Sequence, residues 1–265
     1  MSASNFPACL KITLGQEGGY SINRADPGNW TGGKVGKGQL KGTLNGIAAS
    51  SHPDLDIKNL SEAQVASIYE VEYWRPIRGN DLPAGVDLST FDFAVNSGIS
   101  RGAKALQKAA GVTADGRIGP ATIAAVVAKS PVAMVTAIND TRLGFLQGLT
   151  NWKTFGKGWG ARVGTVRAKS LLMAGATAAV LHQAAAADEK KADNDAKSAG
   201  ASVTAGASTG GGAVIANHAG GIDWIALGAL GIAAIIIIGC GFILYRRAAA
   251  RREMADATRL IAVAS

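Results

Sequence analysis

The sequence contains little cysteine and little histidine, which restricts the chemistry open to it. The 265 residues include two cysteines, Cys9 in a predicted helix and Cys240 in an apolar run, so a disulfide framework is not expected. The three histidines, His52, His182 and His218, lack the spacing typical of metal ligands. We therefore expect neither a metal site nor a cofactor.

Targeting and nucleic-acid signals are also missing. The N-terminal segment MSASNFPACLKITLG has neither a basic region nor a long apolar core, so it does not predict a cleaved signal peptide. The sequence shows no helix-turn-helix signature, zinc-finger spacing or aromatic RNA-binding motif. We expect no nucleic-acid partner.

Positive charge is concentrated in the N-terminal part of the chain. The net charge is +8, and residues 1–175 hold 19 Lys and Arg against 12 Asp and Glu. The remaining 90 residues hold 8 against 7. A basic domain indicates a polyanionic partner, and without nucleic-acid motifs a membrane surface or an anionic wall polymer is favoured.

The spacing of apolar residues predicts a mainly helical N-terminal domain. A first helix covers about residues 6–15, while residues 20–50 are dense in Gly, Asn, Asp and Pro and predict short strands or an ordered loop. Ser61 and Gln64 form a capping box at the start of a second helix, which ends before Pro76. Further helices are predicted at about 87–97, 101–110, 120–129 and 132–149, and from 159 into the 180s.

The C-terminal third has a different composition. Residues 184–221 are rich in Ala, Gly, Ser and Thr, which predicts a flexible linker. Trp224 to Leu244 carry no charge over 21 residues, about 30 Å of helix, so one transmembrane helix is predicted over 222–245. A buried core helix is the alternative. A basic tail, residues 246–265, completes the chain.

The arginines that follow the apolar run favour one orientation in a bilayer. Arg246, Arg247, Arg251 and Arg252 follow Leu244 closely. The positive-inside rule places this end in the cytoplasm, and a single pass then puts the N-terminal domain on the periplasmic or wall side. Insertion the other way would leave that domain cytoplasmic.

Two carboxyl groups near the N-terminus are candidates for acid–base chemistry. Glu17 follows the first predicted helix and precedes two glycines, so its side chain can project into a cleft as a general acid. Asp26 comes nine residues later and can face it across a loop or strand. Two carboxyl groups flanking a glycosidic bond are the usual apparatus of sugar hydrolysis. The alternative is structural: Glu17 is then a solvated residue at a helix end, and Asp26 forms a turn with the Pro-Gly that follows it.

Six motifs, in this order, give the sequence a family resemblance. They are EGGYSINRADPGNW, GTLNGIA, IYEVEYW, FDFAVNSG, LQKAAGVTADGRIGPAT and NWKTFGKGWGARV. Together they resemble the glycoside hydrolase family 108 endolysins, which are phage and prophage lysozymes, over about residues 5–170. The resemblance implies a mainly α fold (α+β, with a lysozyme-like catalytic lobe over 1–100). A peptidoglycan-binding-like helical part of the same domain is implied over 101–180.

The resemblance also implies catalytic residues. Glu17 matches the family's catalytic acid, Asp26 the second carboxylate, and Thr43 the residue that orients the attacking water. The segment NWTGGKVGKGQLK stands between the Asp-Pro-Gly turn and Thr43, a departure from shorter family members that leaves Thr31 as a rival.

Three further residues are candidates for sugar contacts. Tyr20 fits the edge of a sugar cleft or the packing of its loop, and Tyr73 fits substrate contact or the core. Asn96 is polar on an otherwise apolar helix, where it would bind a sugar N-acetyl group or cap backbone.

The expected function is peptidoglycan hydrolysis. The resemblance implies an N-acetylmuramidase that cleaves the β-1,4 bond between N-acetylmuramic acid and N-acetylglucosamine during bacterial cell-wall lysis. The expected partners are peptidoglycan and, through residues 222–245, a lipid bilayer. The alternatives are a lytic transglycosylase, a membrane-tethered peptidoglycan-binding protein without activity, and a holin-like membrane-perturbing span. Retention or inversion of configuration depends on the carboxyl separation.

Overall fold

The computed structural model describes residues 4–211 and 224–264. Helix accounts for 68% of the residues and strand for 3%, so the mainly helical prediction is confirmed. The helices are α1 Phe6–Leu14, α2 Glu62–Tyr69, α3 Val86–Ser97, α4 Ile99–Ala110, α5 Pro120–Val127, α6 Pro131–Gln147, α7 Trp152–Met173, α8 Ala178–Gly211 and α9 Trp224–Ala264, and the strands are β1 Thr43–Leu44 and β2 Ile47–Ala48.

The chain divides into two compact units. Unit 1 comprises Met1–Arg142 with Lys169–Gly175, and unit 2 comprises Leu143–Ala168 with Ala176–Ser265.

The ordered region predicted between residues 20 and 50 is a small hairpin with its supporting loop. Strands β1 and β2 pair antiparallel, and Asn45 and Gly46 form the two-residue turn between them with φ of 49° and 80°. Two positive φ values are typical of a type I′ turn, whose twist matches that of the strands. Thr43 also exchanges two backbone hydrogen bonds of 2.8 Å with Ser21, which ties the segment after α1 to the hairpin.

Helix α2 begins as its sequence predicts and ends irregularly. The Ser61 side chain accepts from the Gln64 backbone N–H, and the Gln64 side chain accepts from the Ser61 N–H, so the capping box is confirmed. The helix then widens into a π-helical turn over Glu70–Trp74. Such turns rotate the following side chains relative to a continuous α-helix.

Aromatic rings and α3 form the centre of unit 1. The ring centroids of Phe6, Trp74 and Phe91 lie 5.3 to 6.0 Å apart, and all three side chains are buried. Contacts at this distance add to the free energy gained from apolar burial. Helix α3 is buried from Val86 to Ala94, so it serves as the central helix around which the unit packs.

A buried ion pair joins α3 to α6 within unit 1. Arg142 Nη1 lies 2.7 Å from Asp92 Oδ2, and both side chains are fully buried. The Arg142 guanidinium also lies 5.6 Å from the centre of the Phe93 ring. One turn away, the Asn139 amide donates to the Ser89 hydroxyl at 2.9 Å. These polar contacts fix the register of α6 against α3.

Helices α7 and α9 approach closely in unit 2. A methyl group added at Gly164 would lie 2.7 Å from the Met254 carbonyl oxygen and 2.8 Å from the Ala257 methyl carbon, so only glycine fits there. The apolar core beside this contact is formed by Leu143, Leu146, Trp152, Val163, Ala250 and Met254.

The single helix predicted from residue 159 into the 180s is divided into two helices in the structure. Helix α7 begins at Trp152, earlier than expected, and ends at Met173. Gly175, with φ of 82°, then takes the left-handed conformation that stops a helix, and α8 begins at Ala178.

The structure differs from the flexible linker predicted over 184–221. Residues 184–211 belong to α8, and residues 212–221 lie outside the described residues. Alanine favours helix, and Leu181, Ala185 and Ala192 are buried. Ion pairs Arg259–Glu189 and Arg252–Asp193 join α8 to α9 in antiparallel order. The predicted basic tail is likewise the C-terminal half of α9.

The predicted membrane span falls partly on residues outside those described. Its backbone is helical from Trp224 onward as the first part of α9. Across the described part of the chain, no single helix is long and apolar enough to cross a membrane, and only the bent pair α5 with α6 meets the criteria of length and composition together.

The Asp92–Arg142 pair provides a test of the packing. Asp92→Ala removes the buried carboxylate that lies 2.7 Å from the Arg142 guanidinium, so we expect the free energy of unfolding to fall by about 3–5 kcal/mol. Urea unfolding followed by tryptophan fluorescence measures this change. The double variant Asp92→Leu with Arg142→Met should recover most of the loss, and a double variant as unstable as the single one would contradict the ion-pair explanation.

Candidate active site

Glu17 lies immediately beyond the end of α1. Its backbone N–H donates to the Leu14 carbonyl at 3.0 Å, so the helix finishes in a turn that presents the side chain outward. The Glu17 side chain is half-buried. The sequence prediction of a carboxyl group displayed by a helix end therefore agrees with the backbone.

The hairpin tip lies against Glu17. A methyl group added at Gly46 would lie 3.6 Å from Glu17 Oε2 and 2.9 Å from the Tyr69 hydroxyl oxygen. The Tyr69 hydroxyl donates to the Asn45 carbonyl at 2.6 Å. Because Gly46 has no side chain and adopts a positive φ, the backbone of the tip can approach both groups. One small region thus brings together α1, the hairpin and α2.

The π-helical turn supplies the opposite side of this region. The rings of Tyr69 and Tyr73 lie 5.5 Å apart, and His52 Nε2 lies 3.5 Å from Glu72 Oε1. Burial raises the pKa of the Tyr73 phenol above its ordinary value, and the negative charges of Glu72 and Glu17 raise it further. The cleft is lined by Gly46, Ile47, Ala48, Ser51, His52, Ile68, Tyr69, Glu72 and Tyr73.

Thr43 and Asp26 are connected through Asn29. The Thr43 hydroxyl donates to Asn29 Oδ1 at 2.7 Å, two residues before the hairpin tip. Asp26 caps the short 3₁₀ helix Pro27–Asn29, and its Oδ1 accepts from the Gly28 N–H at 2.8 Å. The exposed carboxylate of Asp26 and the half-buried hydroxyl of Thr43 are therefore held by one loop.

Thr31 has a different local role. Its hydroxyl oxygen accepts from the Gln39 backbone N–H at 2.9 Å, inside the glycine-rich loop. This bond closes the loop between Trp30 and Leu40, whose backbones form an isolated bridge. The hydroxyl of Thr31 is thus used by the loop, whereas Thr43 lies on the strand that leads to the tip.

The predicted sugar-contacting residues lie on three elements. Tyr20 is 37% exposed, and its hydroxyl donates to the Lys41 carbonyl at 3.2 Å beside the hairpin. Tyr73 lies in the cleft. Asn96 lies exposed near the end of α3, where its side-chain oxygen accepts from the Ser97 hydroxyl at 3.1 Å.

Sequence reasoning missed four residues of this site: Gly46, His52, Tyr69 and Glu72. An Asn-Gly pair between strand-forming residues is a strong hairpin signal, so Gly46 could have been found. Tyr69 and Tyr73 stand four residues apart, a spacing that places them on one helix face. The π-helical turn that presents Glu72 has no comparable sequence signature.

Among the residues with described positions, no group of three or more His, Cys, Asp or Glu side chains is arranged to hold a metal ion.

The electrostatics of the cleft can be tested through Tyr73. Its raised pKa means that tyrosinate forms later in the folded protein, so this group contributes stability below about pH 10 that is lost as pH rises through its folded pKa. Replacing Glu17 by Gln removes one negative charge, and we expect the Tyr73 pKa to fall toward its ordinary value. Absorbance at 295 nm, compared with a Tyr73→Phe variant, follows this ionisation.

A matched control is Glu62→Gln, which removes an exposed carboxylate at the start of α2. This change should leave the Tyr73 titration unaltered. An equal shift in both variants would mean that net charge, and not the proximity of Glu17, sets the value.

Comparison with known proteins relates two parts of this chain to known domains. Residues 10–98 match the family model Glycosyl hydrolase 108, and residues 101–164 match the Predicted Peptidoglycan domain. A solved structure of Brucella abortus SagA is 36% identical, with a TM-score of 0.54, over 64% of this chain and 95% of that one. No curated protein sequence matches. The chain belongs to the glycosyl hydrolase 108 family and combines a glycoside hydrolase domain that acts on peptidoglycan with a peptidoglycan-binding domain.

Proposed function

We propose that the protein is an N-acetylmuramidase whose general acid is Glu17. The observation that carries this proposal is the position of the Glu17 carboxylate beside Gly46 and Tyr69, where three elements meet. A half-buried carboxyl at the edge of a cleft can reach a glycosidic oxygen while remaining shielded from bulk water. The bond cleaved is the β-1,4 bond between N-acetylmuramic acid and N-acetylglucosamine.

The reaction needs a proton donor and an oriented water. Glu17 donates its proton to the leaving glycosidic oxygen, and water attacks the anomeric carbon. The Thr43 hydroxyl gives its hydrogen to Asn29, so its remaining lone pairs are suited to accept a hydrogen from that water. The Asp26 carboxylate offsets the positive charge that develops on the sugar ring.

The second domain holds the enzyme on its polymeric substrate. Residues 101–164 carry the peptidoglycan-binding match, and the N-terminal 175 residues hold seven more basic than acidic residues. Long-range attraction of this kind raises the local concentration of an anionic polymer. We therefore assign substrate retention to this domain and bond cleavage to the first 98 residues.

Attachment to a bilayer through residues 222–245 is also part of the proposal. The apolar run between Trp224 and Tyr245 supports it by composition. A single pass would separate residues 188–195 from residues 251–259. Their ion pairs, such as Arg252–Asp193 and Arg259–Glu189, favour instead a position of both segments on one side of the bilayer. A helical hairpin made by α8 and α9 satisfies both requirements.

The first test replaces Glu17 by Gln in the full-length chain. We expect the rate of turbidity clearing of purified peptidoglycan to fall by about a hundredfold or more, because the proton donor is lost. The control Glu62→Gln should clear at the wild-type rate. Mass spectrometry of the wild-type products should show reducing muramic acid ends.

Two outcomes would contradict this assignment. Undiminished clearing by Glu17→Gln would place the active site elsewhere. Products ending in 1,6-anhydromuramic acid would identify a lytic transglycosylase, in which the muramic 6-hydroxyl replaces water.

The second test compares the two threonines. We expect Thr43→Val to slow peptidoglycan hydrolysis by roughly tenfold to a hundredfold, because an attacking water loses its orienting group. Thr43→Ser keeps the hydroxyl and should retain most of the rate, and Thr31→Val should stay near wild type. The ratio of initial rates at equal folded concentration measures this. A larger loss in Thr31→Val than in Thr43→Val would reverse the assignment.

A further inference from the structure

Arg246 lies between two grooves in unit 2. Arg246 lines one groove with Lys153 and Lys157 at the start of α7, and a second with Gln147 at the end of α6 and with Arg247. We refer to these two adjoining grooves as the Arg246 groove. Its remaining charged lining residue is Glu253, so positive charge predominates.

The hydrogen-bond donors of this groove are not satisfied within the described part of the protein. Nε and Nη2 of Arg246 and Nε2 of Gln147 are buried, and none has a hydrogen-bond partner there. Buried donors without partners are costly, and a charged donor more so than a neutral one. The groove therefore presents three donor atoms that an acceptor-rich anion would satisfy.

Phe242 orients the positive groups. The Arg246 guanidinium lies 5.5 Å from the centre of the Phe242 ring, and the Lys153 ammonium lies 5.1 Å from the same centre. A guanidinium held over an aromatic ring keeps its N–H edge available for a second partner. A planar edge with two N–H donors matches the oxygens of a phosphate group.

The position of the groove along α9 identifies the occupant. Phe242 lies in the last turn of the uncharged run that ends at Leu244, and Tyr245 and Arg246 follow that run directly. Aromatic and basic side chains at the end of an apolar helix belong at the headgroup level of a bilayer. Phe242 and Tyr245 are 45% and 64% exposed, as contact with lipid requires.

We propose that the Arg246 groove binds the phosphate of an anionic phospholipid. The inference rests on the proposed bilayer attachment through residues 222–245 and adds a lipid-specific site to it. Arg246 and Gln147 hydrogen-bond the phosphate oxygens, Lys153 and Lys157 add charge, and Phe242 and Tyr245 lie among the headgroups. The catalytic cleft in unit 1 takes no part.

Vesicle flotation of the full-length chain tests the site. The probes are vesicles of phosphatidylcholine alone and vesicles with about a third phosphatidylglycerol, both in 0.15 M salt. We expect the wild type to bind the anionic vesicles at least tenfold more tightly. The triple variant Arg246→Gln, Lys153→Gln, Lys157→Gln should lose most of this difference, since each basic side chain at an anionic surface contributes about fivefold. Binding to phosphatidylcholine should be unchanged.

Two controls separate a built site from diffuse attraction. Lys190→Gln with Lys197→Gln removes two exposed charges from α8 outside the groove and should keep the preference for anionic vesicles. Arg246→Lys keeps the charge and removes the planar edge, so it should weaken anionic binding by several-fold. Equal binding by Arg246→Lys and wild type would overturn the site in favour of diffuse attraction.

Other outcomes distinguish this inference from the functions proposed above. Equal wild-type binding to both vesicle types overturns the lipid site while leaving bilayer attachment intact, and binding to neither overturns both. A triple variant that loses binding to purified peptidoglycan sacculi, and not to vesicles, assigns the groove to the wall. Peptidoglycan clearing that depends on Glu17 should be the same in the single variant Arg246→Gln, which lies outside residues 101–164, and in the wild type.

Discussion

The hydrogen bond from the Tyr69 hydroxyl to the Asn45 carbonyl, 2.6 Å long, joins the hairpin tip to α2. Strands of two residues cannot hold a hairpin together by themselves. The hairpin therefore depends on this bond and on the paired hydrogen bonds between Ser21 and Thr43. The Ser21 contact comes from the chain that leaves α1, so the same bonds that support the hairpin also position Glu17. The segment that follows the proposed acid and the strand that carries Thr43 are thus joined directly by backbone hydrogen bonds.

Irregular backbone lies on both sides of the same cleft. Asn45 is in the left-handed conformation at the hairpin tip, and α2 widens into a π-helical turn on the facing side. Both features cost free energy relative to regular structure, and they persist because buried rings fix their surroundings. Trp74, at the end of the turn, is enclosed by Phe6 and Phe91. Apolar packing beneath the cleft thus stabilises the strained backbone that presents Glu72 and Tyr73.

Local signals in the sequence predicted local structure well. The Ser61–Gln64 capping box fixes the start of α2, and the glycine-rich composition after Glu17 indicates the ordered loop that the hairpin completes. Features that depend on distant contacts were not predictable in this way. The π-helical turn follows from packing, and the linker prediction failed over 184–211 because composition does not show that α9 supplies a partner for α8. Of the candidate site, the sequence indicated Glu17, Asp26, Thr43 and Tyr73, but not the contacts of Tyr69 or Glu72.

The arginines after the apolar run show why charge counting alone misleads. The positive-inside rule counts Arg246, Arg247, Arg251 and Arg252 equally. In unit 2, Arg252 lies 3.2 Å from Asp193, and Arg251 lies within 3.7 Å of the buried Asp188, so these charges are largely neutralised by α8. Arg246 instead lies over Phe242 with buried donors that the described residues do not satisfy. Neutralised arginines stabilise helix pairing, whereas an unneutralised one can act on a membrane. The position of each charge relative to its partners, and not the number of charges, therefore determines which residues interact with an anionic surface.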